Sequence, residues 1–301
     1  MSKFDEIHAF TQIVESGSIT AAAERLTVAK SAVSRRLAEL EARLGVELFH
    51  RTTRKLTLTD SGRAFYERSV RILSDLEEAE QAVCQAHHEL RGPLRVAAPL
   101  TFGLLHLGPA INDFVHAHPQ IQVAIDFNDR QVDVIQEGFD VAIRIATLQD
   151  SSLIARRLAS VTIDTCASPA YLARHGTPRT PDELREHQCL VYAYLENPGV
   201  WPYRDRSGRE INMRVQPYLE ANNGDYLSAA AIAGHGIVRQ PRFICYGAIA
   251  RGELVPILTD YTVPALNAYA IYPPTRHLSQ RVRAFVDFLV ERFAGMPYWE
   301  K

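Results

Sequence analysis

The sequence is short of the features that would place it in a narrow class. No apolar run approaches the roughly 18 residues that a membrane-spanning helix needs. The opening MSKFDEIHAFTQIVESGS alternates charged with apolar residues, unlike a secretory leader, so a cytoplasmic protein is expected. Only four cysteines occur, Cys84, Cys166, Cys189 and Cys245, and none forms a CxxC pair. That spacing excludes a zinc ribbon and makes packed thiols the expectation. No charge sign dominates: the formal net charge is −2. A molecule coated in positive charge is thereby excluded, but a local basic patch is not. GxSxG, Walker and GxGxxG signatures are missing, and HHELR lacks the second histidine of HExxH. Neither enzyme activity nor a cofactor or metal is therefore expected.

The 301 residues suit two or three domains. Residues 1–59 hold short amphipathic segments. Phe4, Ile7, Phe10 and Val14 form one helical stripe; Ala22, Ala23 and Leu26 form another, preceded by the caps Ser18 and Thr20. Four residues, TVAK, lead into a third helix carrying Leu37, Leu40 and Leu44, and so short a turn predicts a helix-turn-helix. The small residues Ala22 and Ala23, with Val33, would pack the two helices. Lys30, Ser31, Ser34, Arg35 and Arg36 are then left around the outward end of the second one. Such an end enters the major groove in helix-turn-helix proteins, and arginine there can pair with guanine. ELFHRTTRKLTLTDSG reads as a β-wing whose Arg51 and Arg54 can reach a minor groove. From Arg25 to Lys55 eight basic residues face three acidic ones, so the patch is basic within a near-neutral chain.

Residues 60–91 contain no proline before the breaking RGP at Arg91–Pro93, and Gly62 alone among glycines. Ile72, Leu76, Ala79, Val83, Ala86 and Leu90 fall at alternating steps of four and three, the seam of a coiled-coil linker helix. From residue 92 to 301, strands such as LRVAAP, IQVAIDFN, DVAIRIA, VTIDTCAS, CLVYAY, YLEANN, GIVRQP and LNAYAIYP alternate with helices. VDVIQEG is read as one short helix, and FGLLHLGPAINDFVHAH as one that Pro109 kinks or splits. This is doubly wound α/β texture in two lobes, about 92–161 with 266–301 and about 162–265, with a ligand expected at the carboxyl ends of the strands.

The stretch FTQIVESGSITAAAERLTVAKSAVSRRLAELEARLGVELFHRTTRKLTLTDSG resembles the winged helix-turn-helix of LysR-type transcriptional regulators. GPLRVAAPLTFG, GFDVAIRIA, CASPAYLARHGTPRTPDEL and RAFVDFLVERF resemble that family's effector domain, so the likeness covers essentially the whole chain. It implies a reader of double-stranded, dyad-symmetric promoter DNA, a dimerising helix and a two-lobed domain similar to periplasmic binding proteins. It also implies homodimers and homotetramers, with RNA polymerase as a further partner. Lys30 and Ser31 stand where members often carry Gln and Pro, so base contacts at those two positions are this chain's own.

In the cleft, Thr101 and Phe102 follow a strand and open a helix, where a hydroxyl and free N–H groups suit an anion. Asn222 and Asn223 occupy the matching turn of the second lobe, which the family places opposite. Asn128 follows its own strand, Arg144 lies within VAIRIA, and Leu100 and Phe102 would cover an apolar part. Arg239 interrupts an apolar strand and must reach the cleft or pair with an acid. The expected effector is a small carboxylate or other oxygen-rich metabolite. The competing reading, a stand-alone solute-binding protein, has the reader domain against it.

Overall fold

The computed structural model of the chain describes residues 2–51, 56–83, 90–147, 152–274 and 278–300. Two compact units are present, Met1–Pro93 and Leu94–Lys301.

The first unit is helical with a small wing. Helix α1 (Lys3–Ser16) starts in a capping box: the Ser2 hydroxyl accepts from the Phe4 amide, and Asp5 accepts from the Ser2 amide. Helix α2 (Ile19–Arg25) is capped by Ser18. Helix α3 (Lys30–Leu44) follows, then strands β1 (Phe49–Arg51) and β2 (Leu56–Leu58), paired antiparallel, and the long helix α4 (Asp60–Val83). Their shared core holds Phe10, Ile13, Ala22, Ala23, Val33, Leu37, Leu40 and Leu48. The α1 stripe is rotated slightly from the sequence expectation. Ala9, Phe10 and Ile13 are its buried residues, while Phe4 is exposed. Buried Glu41 is satisfied by the Leu48 amide at 2.8 Å, which fixes the chain as it leaves α3.

The second unit has two five-stranded sheets. One contains β3 (Gly92–Ala98), β4 (Ile121–Phe127), β5 (Val141–Ala146), β6 (Ile154–Val161) and β14 (Leu266–Tyr272), in the order β4-β3-β5-β14-β6. Between β3 and β4 run α5 (Leu100–Phe102), a π-helical segment Gly103–Leu107 and α6 (Gly108–Ala117). The π segment explains how one helix absorbs Pro109. The Gly108 amide bonds the Gly103 carbonyl, and the wider turn relieves the clash a proline ring makes in a regular α-helix. An added Cβ on Gly103 would lie 2.4 Å from the Phe127 ring, so glycine lets this helix start against β4.

The other sheet, ordered β11-β8-β12-β7-β13, contains β7 (Ile163–Ala167), β8 (Cys189–Tyr192), β11 (Pro217–Ala221), β12 (Ile237–Pro241) and β13 (Val255–Ile257). Helices α7 (Pro169–His175), α8 (Gly224–Ile232) and α9 (Arg242–Ala250) connect them. Strands β9 (Val200–Arg204) and β10 (Glu210–Arg214) form a separate hairpin that the sequence reading passed over. Helix α10 (Gln280–Arg292) returns to the first sheet's side, packing on β6 and α6. The expected helix at 132–138 is a turn instead. The Asp133 carboxylate accepts from the amides of Ile135 and Gln136, and Gly138 has φ 69°, so the chain curls once and stops.

The chain crosses between the sheets at Thr162 and again between Ile257 and Leu266. Each sheet therefore belongs to its own lobe, with the parallel strand ends opening on the space between them.

Candidate functional site

Helix α3 begins without a side-chain cap. Ala29 is its N-cap residue, and no acidic residue lies in its first turn. By helix geometry the Lys30 and Ser31 amides have no intrahelical acceptor, and the helix dipole adds positive potential there. Lys30, Ser31 and Arg35 are exposed, and Ser34 and Arg36 half-buried. Arg35 lies 3.8 Å from Glu39, an exposed pair that holds it loosely. Arg43 is the exception within the basic stretch. Its guanidinium binds Glu6 at 2.6 and 3.0 Å and ties α3 to α1. Arg51 ends β1; its side chain, Arg54 and Lys55 lie outside the described residues.

Between the lobes lies a cavity of about 300 Å³. It brings together Thr101, Phe102, Asn128, Arg144 and Arg239 from the sequence candidates. Leu100, Asn222 and Asn223 are not among its lining residues. Their groups have other uses. The Leu100 amide donates to Asp129 at 2.8 Å; the Asn223 carboxamide caps α8 through the Tyr226 amide at 2.9 Å; Asn222 donates to the Tyr194 hydroxyl at 3.1 Å. Asn128 lines the cavity but accepts from the Arg130 amide at 2.8 Å. Sequence reasoning missed Asp129, Arg130, Tyr192, Tyr194 and Gln240, which also line it. All lie within three residues of a strand end, and that placement was the available signal.

Thr101 holds the two lobes together. It is buried, and its hydroxyl donates to the carboxylate of Asp225, the second residue of α8. The helix start that suits an anion therefore already engages two protein carboxylates, Asp129 on the Leu100 amide and Asp225 on Thr101. Burial pushes the Asp129 carboxyl up, against the Leu100 hydrogen bond, and the nearby Asp225 adds to the rise.

Both candidate arginines are desolvated. Arg144 donates to the Val132 carbonyl at 2.5 Å, yet its Nε is buried without an acceptor. Arg239 lies over the Trp201 ring at 5.7 Å, with one terminal nitrogen buried and unbonded. Neither has an ion-pair contact among the described residues, and burial lowers the pKa of both against the smaller opposing influence of Asp133 on Arg144 and of Tyr203 on Arg239. Guanidinium remains charged regardless, so each site carries an unmet demand for an anion.

Behind the cavity the lobes meet in an aromatic cluster. Phe102 packs edge-on against Phe243 of α9 at 5.3 Å and against Trp299 at 5.9 Å. His106, buried, sits between the Tyr298 hydroxyl at 2.5 Å and the Phe243 carbonyl at 3.2 Å. A carbonyl only accepts, so His106 carries its proton on Nε2 and its Nδ1 accepts from Tyr298. Desolvation lowers its pKa. At the first crossing, Glu300 accepts from the Thr162 amide at 2.8 Å, and Arg242 makes a bidentate pair with Asp164 at 2.6 and 2.7 Å.

Comparison with known proteins agrees with both units. Residues 4–63 match the family described as "Bacterial regulatory helix-turn-helix protein, lysR family", and residues 87–294 match "LysR substrate binding domain". The transcriptional regulator CrgA of Neisseria meningitidis serogroup C is 36% identical over 292 residues, covering 97% of each chain. The regulator DmlR of Escherichia coli is 35% identical over 291 residues, covering 96% of this chain and 94% of that one. The solved structure of Neisseria meningitidis CrgA aligns with TM-score 0.62 at 35% identity, covering 97% of this chain and 99% of that one. Full-length Vibrio cholerae AphB aligns with TM-score 0.59 at 28% identity, with the same coverage. A winged helix-turn-helix followed by a two-lobed substrate-binding domain, with relatives of this kind along its whole length, makes the chain a DNA-binding member of the LysR family of transcriptional regulators.

Proposed function

We propose that this regulator reads a dyad-symmetric promoter site through Lys30, Ser31, Ser34, Arg35 and Arg36, and that a small carboxylate in the inter-lobe cleft sets its activity. Arg51 and Arg54 hold the flanking minor groove or its backbone. Residues 60–91 pair two copies along the α4 seam, and the homodimer or homotetramer presents its readers to RNA polymerase at the promoter. The domains divide at 1–59, 60–91 and 92–301. The role is non-enzymatic.

The observation that carries the reading is the paired preparation of charge. An uncapped, basic helix start in one unit suits phosphate and base edges. In the other, two desolvated arginines with no ion-pair contact among the described residues suit a carboxylate, Asp133 being the acid nearby for Arg144. The test is a gel shift and footprint of the full chain on its own upstream DNA. A protected site with two half-sites about one helical turn or a multiple apart is expected. Binding no stronger than to random DNA at the same salt would favour a solute-binding role without DNA recognition.

A further inference from the structure

We infer that the cleft takes a zwitterion: a small amino acid or similar amino-carboxylate, its ammonium group on Asp129 and its carboxylate on Arg144 and Arg239. This rests on the cleft being the effector site and narrows what occupies it.

The charges lining the cavity are of both signs and are kept apart. Arg130 is neutralised by a bidentate pair with Glu137. Among the described residues Arg144 and Arg239 have no such pair and make no ion pair with Asp129, although the Asp133 carboxylate lies near enough to Arg144 to favour its charge. Asp129 bonds the Leu100 amide through Oδ1, and its Oδ2 has no partner among the described residues. The protein thus leaves a partly buried carboxylate and two desolvated cations around one small space. Each costs solvation free energy until a counter-charge arrives.

A plain carboxylate meets only half of this demand. It would answer the arginines and add a negative charge to a cavity that already holds Asp129, with Asp225 nearby. The donors at the start of α5 cannot take it without displacing protein carboxylates, because the Leu100 amide and the Thr101 hydroxyl are engaged. An ammonium group beside Asp129 reverses the sign of that interaction. It also finds a neutral acceptor in the Tyr192 hydroxyl, which burial and the nearby Asp129 keep protonated. A cavity of about 300 Å³ is at the small end for ligand pockets and fits a metabolite of this size.

The test is calorimetric titration of the full-length protein with two matched sets: leucine, isocaproate and isoamylamine; and ε-aminocaproate, caproate and hexylamine. At least one zwitterion should bind about tenfold or more tighter than both its truncated partners. Asp129→Asn should reduce that zwitterion to the level of the plain acid and leave the acid unweakened. Arg239→Gln and Arg144→Gln should weaken both. The wild-type ranking needs no variant, so a misfolded variant leaves the test standing. Acids binding as tightly as their amino counterparts, or an Asp129→Asn variant that keeps the preference, overturns the zwitterion and leaves the cleft as a carboxylate site. Six probes silent at about 10 mM would overturn both together.

Discussion

Arg35 and His106 show how differently single residues work in the two units. Arg35 is exposed, and its ion pair with Glu39 is solvent-exposed, so a base edge can compete for its guanidinium. Arg35→Ala should weaken specific DNA binding by about 1–3 kcal/mol if it reads a guanine. Equal loss on specific and random DNA would make it a phosphate contact, and no loss on either would sink the docking geometry. His106 is locked. Its folded pKa lies below the ordinary value, so the unfolded chain takes up that proton first as pH falls. The stability His106 contributes is fully present above about pH 6.5 and is lost as pH falls through its lower folded pKa. His187, also lowered by burial, acts in the same direction. In thermal melts from about pH 7.5 to 5, His106→Phe should flatten part of the decline; an unchanged slope would show that His106 carries none of it. At this scale the sequence was half legible. The strand-end place of Thr101, and a charge inside an otherwise apolar strand at Arg144 and Arg239, pointed to residues that line the cavity. Position alone misled at Asn223, because an asparagine before a helix caps it as readily as it binds a ligand. The role of Asp225 was hidden because its partner Thr101 is 124 residues away.

Among the elements, α4 carries the clearest expectation. It runs without a break from Asp60 to Val83, and Ile72 on its seam is exposed in the single chain. Ala79 and Val83, further along the seam, have side chains outside the described residues. Ile72→Asp with Leu76→Asp should give a monomer in sedimentation with poor DNA binding, since a charge at a seam position is buried without a partner in the pair. Retention of the wild-type assembly would place the seam elsewhere. Helices and the longer strands were legible because their apolar periods are long. The β9–β10 hairpin was overlooked although its signal is present: Trp201 and Tyr203 alternate inward, and Gly208 at φ 88° closes a turn organised by Asp205. The turn at Val134–Gly138 failed in the opposite way. Its apolar spacing suited a helix, but Asp133 bonds the next amides and supplies the turn on its own.

For the regulatory unit as a whole, two of the contacts between the lobes are ones that a ligand would have to leave in register or disturb. One is the Thr101–Asp225 bond, and the other is the cluster in which Phe102 and His106 meet Phe243. Thr101→Val keeps the shape and removes the hydroxyl. DNA affinity should stay nearly intact, while amide exchange at the start of α8 speeds up because Asp225 is released. Exchange rates equal to wild type would show that this bond does not restrain the lobes. A ligand shifts this pair of arrangements only as far as it prefers one of them. The chain has two tryptophans, and both are part of this machinery. Trp201 lies beneath the Arg239 guanidinium, and Trp299 packs on Phe102 and His106. Both indoles are almost fully shielded from water. Tryptophan-selective emission therefore reports from beneath Arg239 and from the aromatic cluster behind the cavity. A ligand that draws Arg239 off its ring would change the Trp201 signal, whereas a lobe movement would change that of Trp299. Trp201→Phe and Trp299→Phe would separate occupancy from motion in one unlabelled titration.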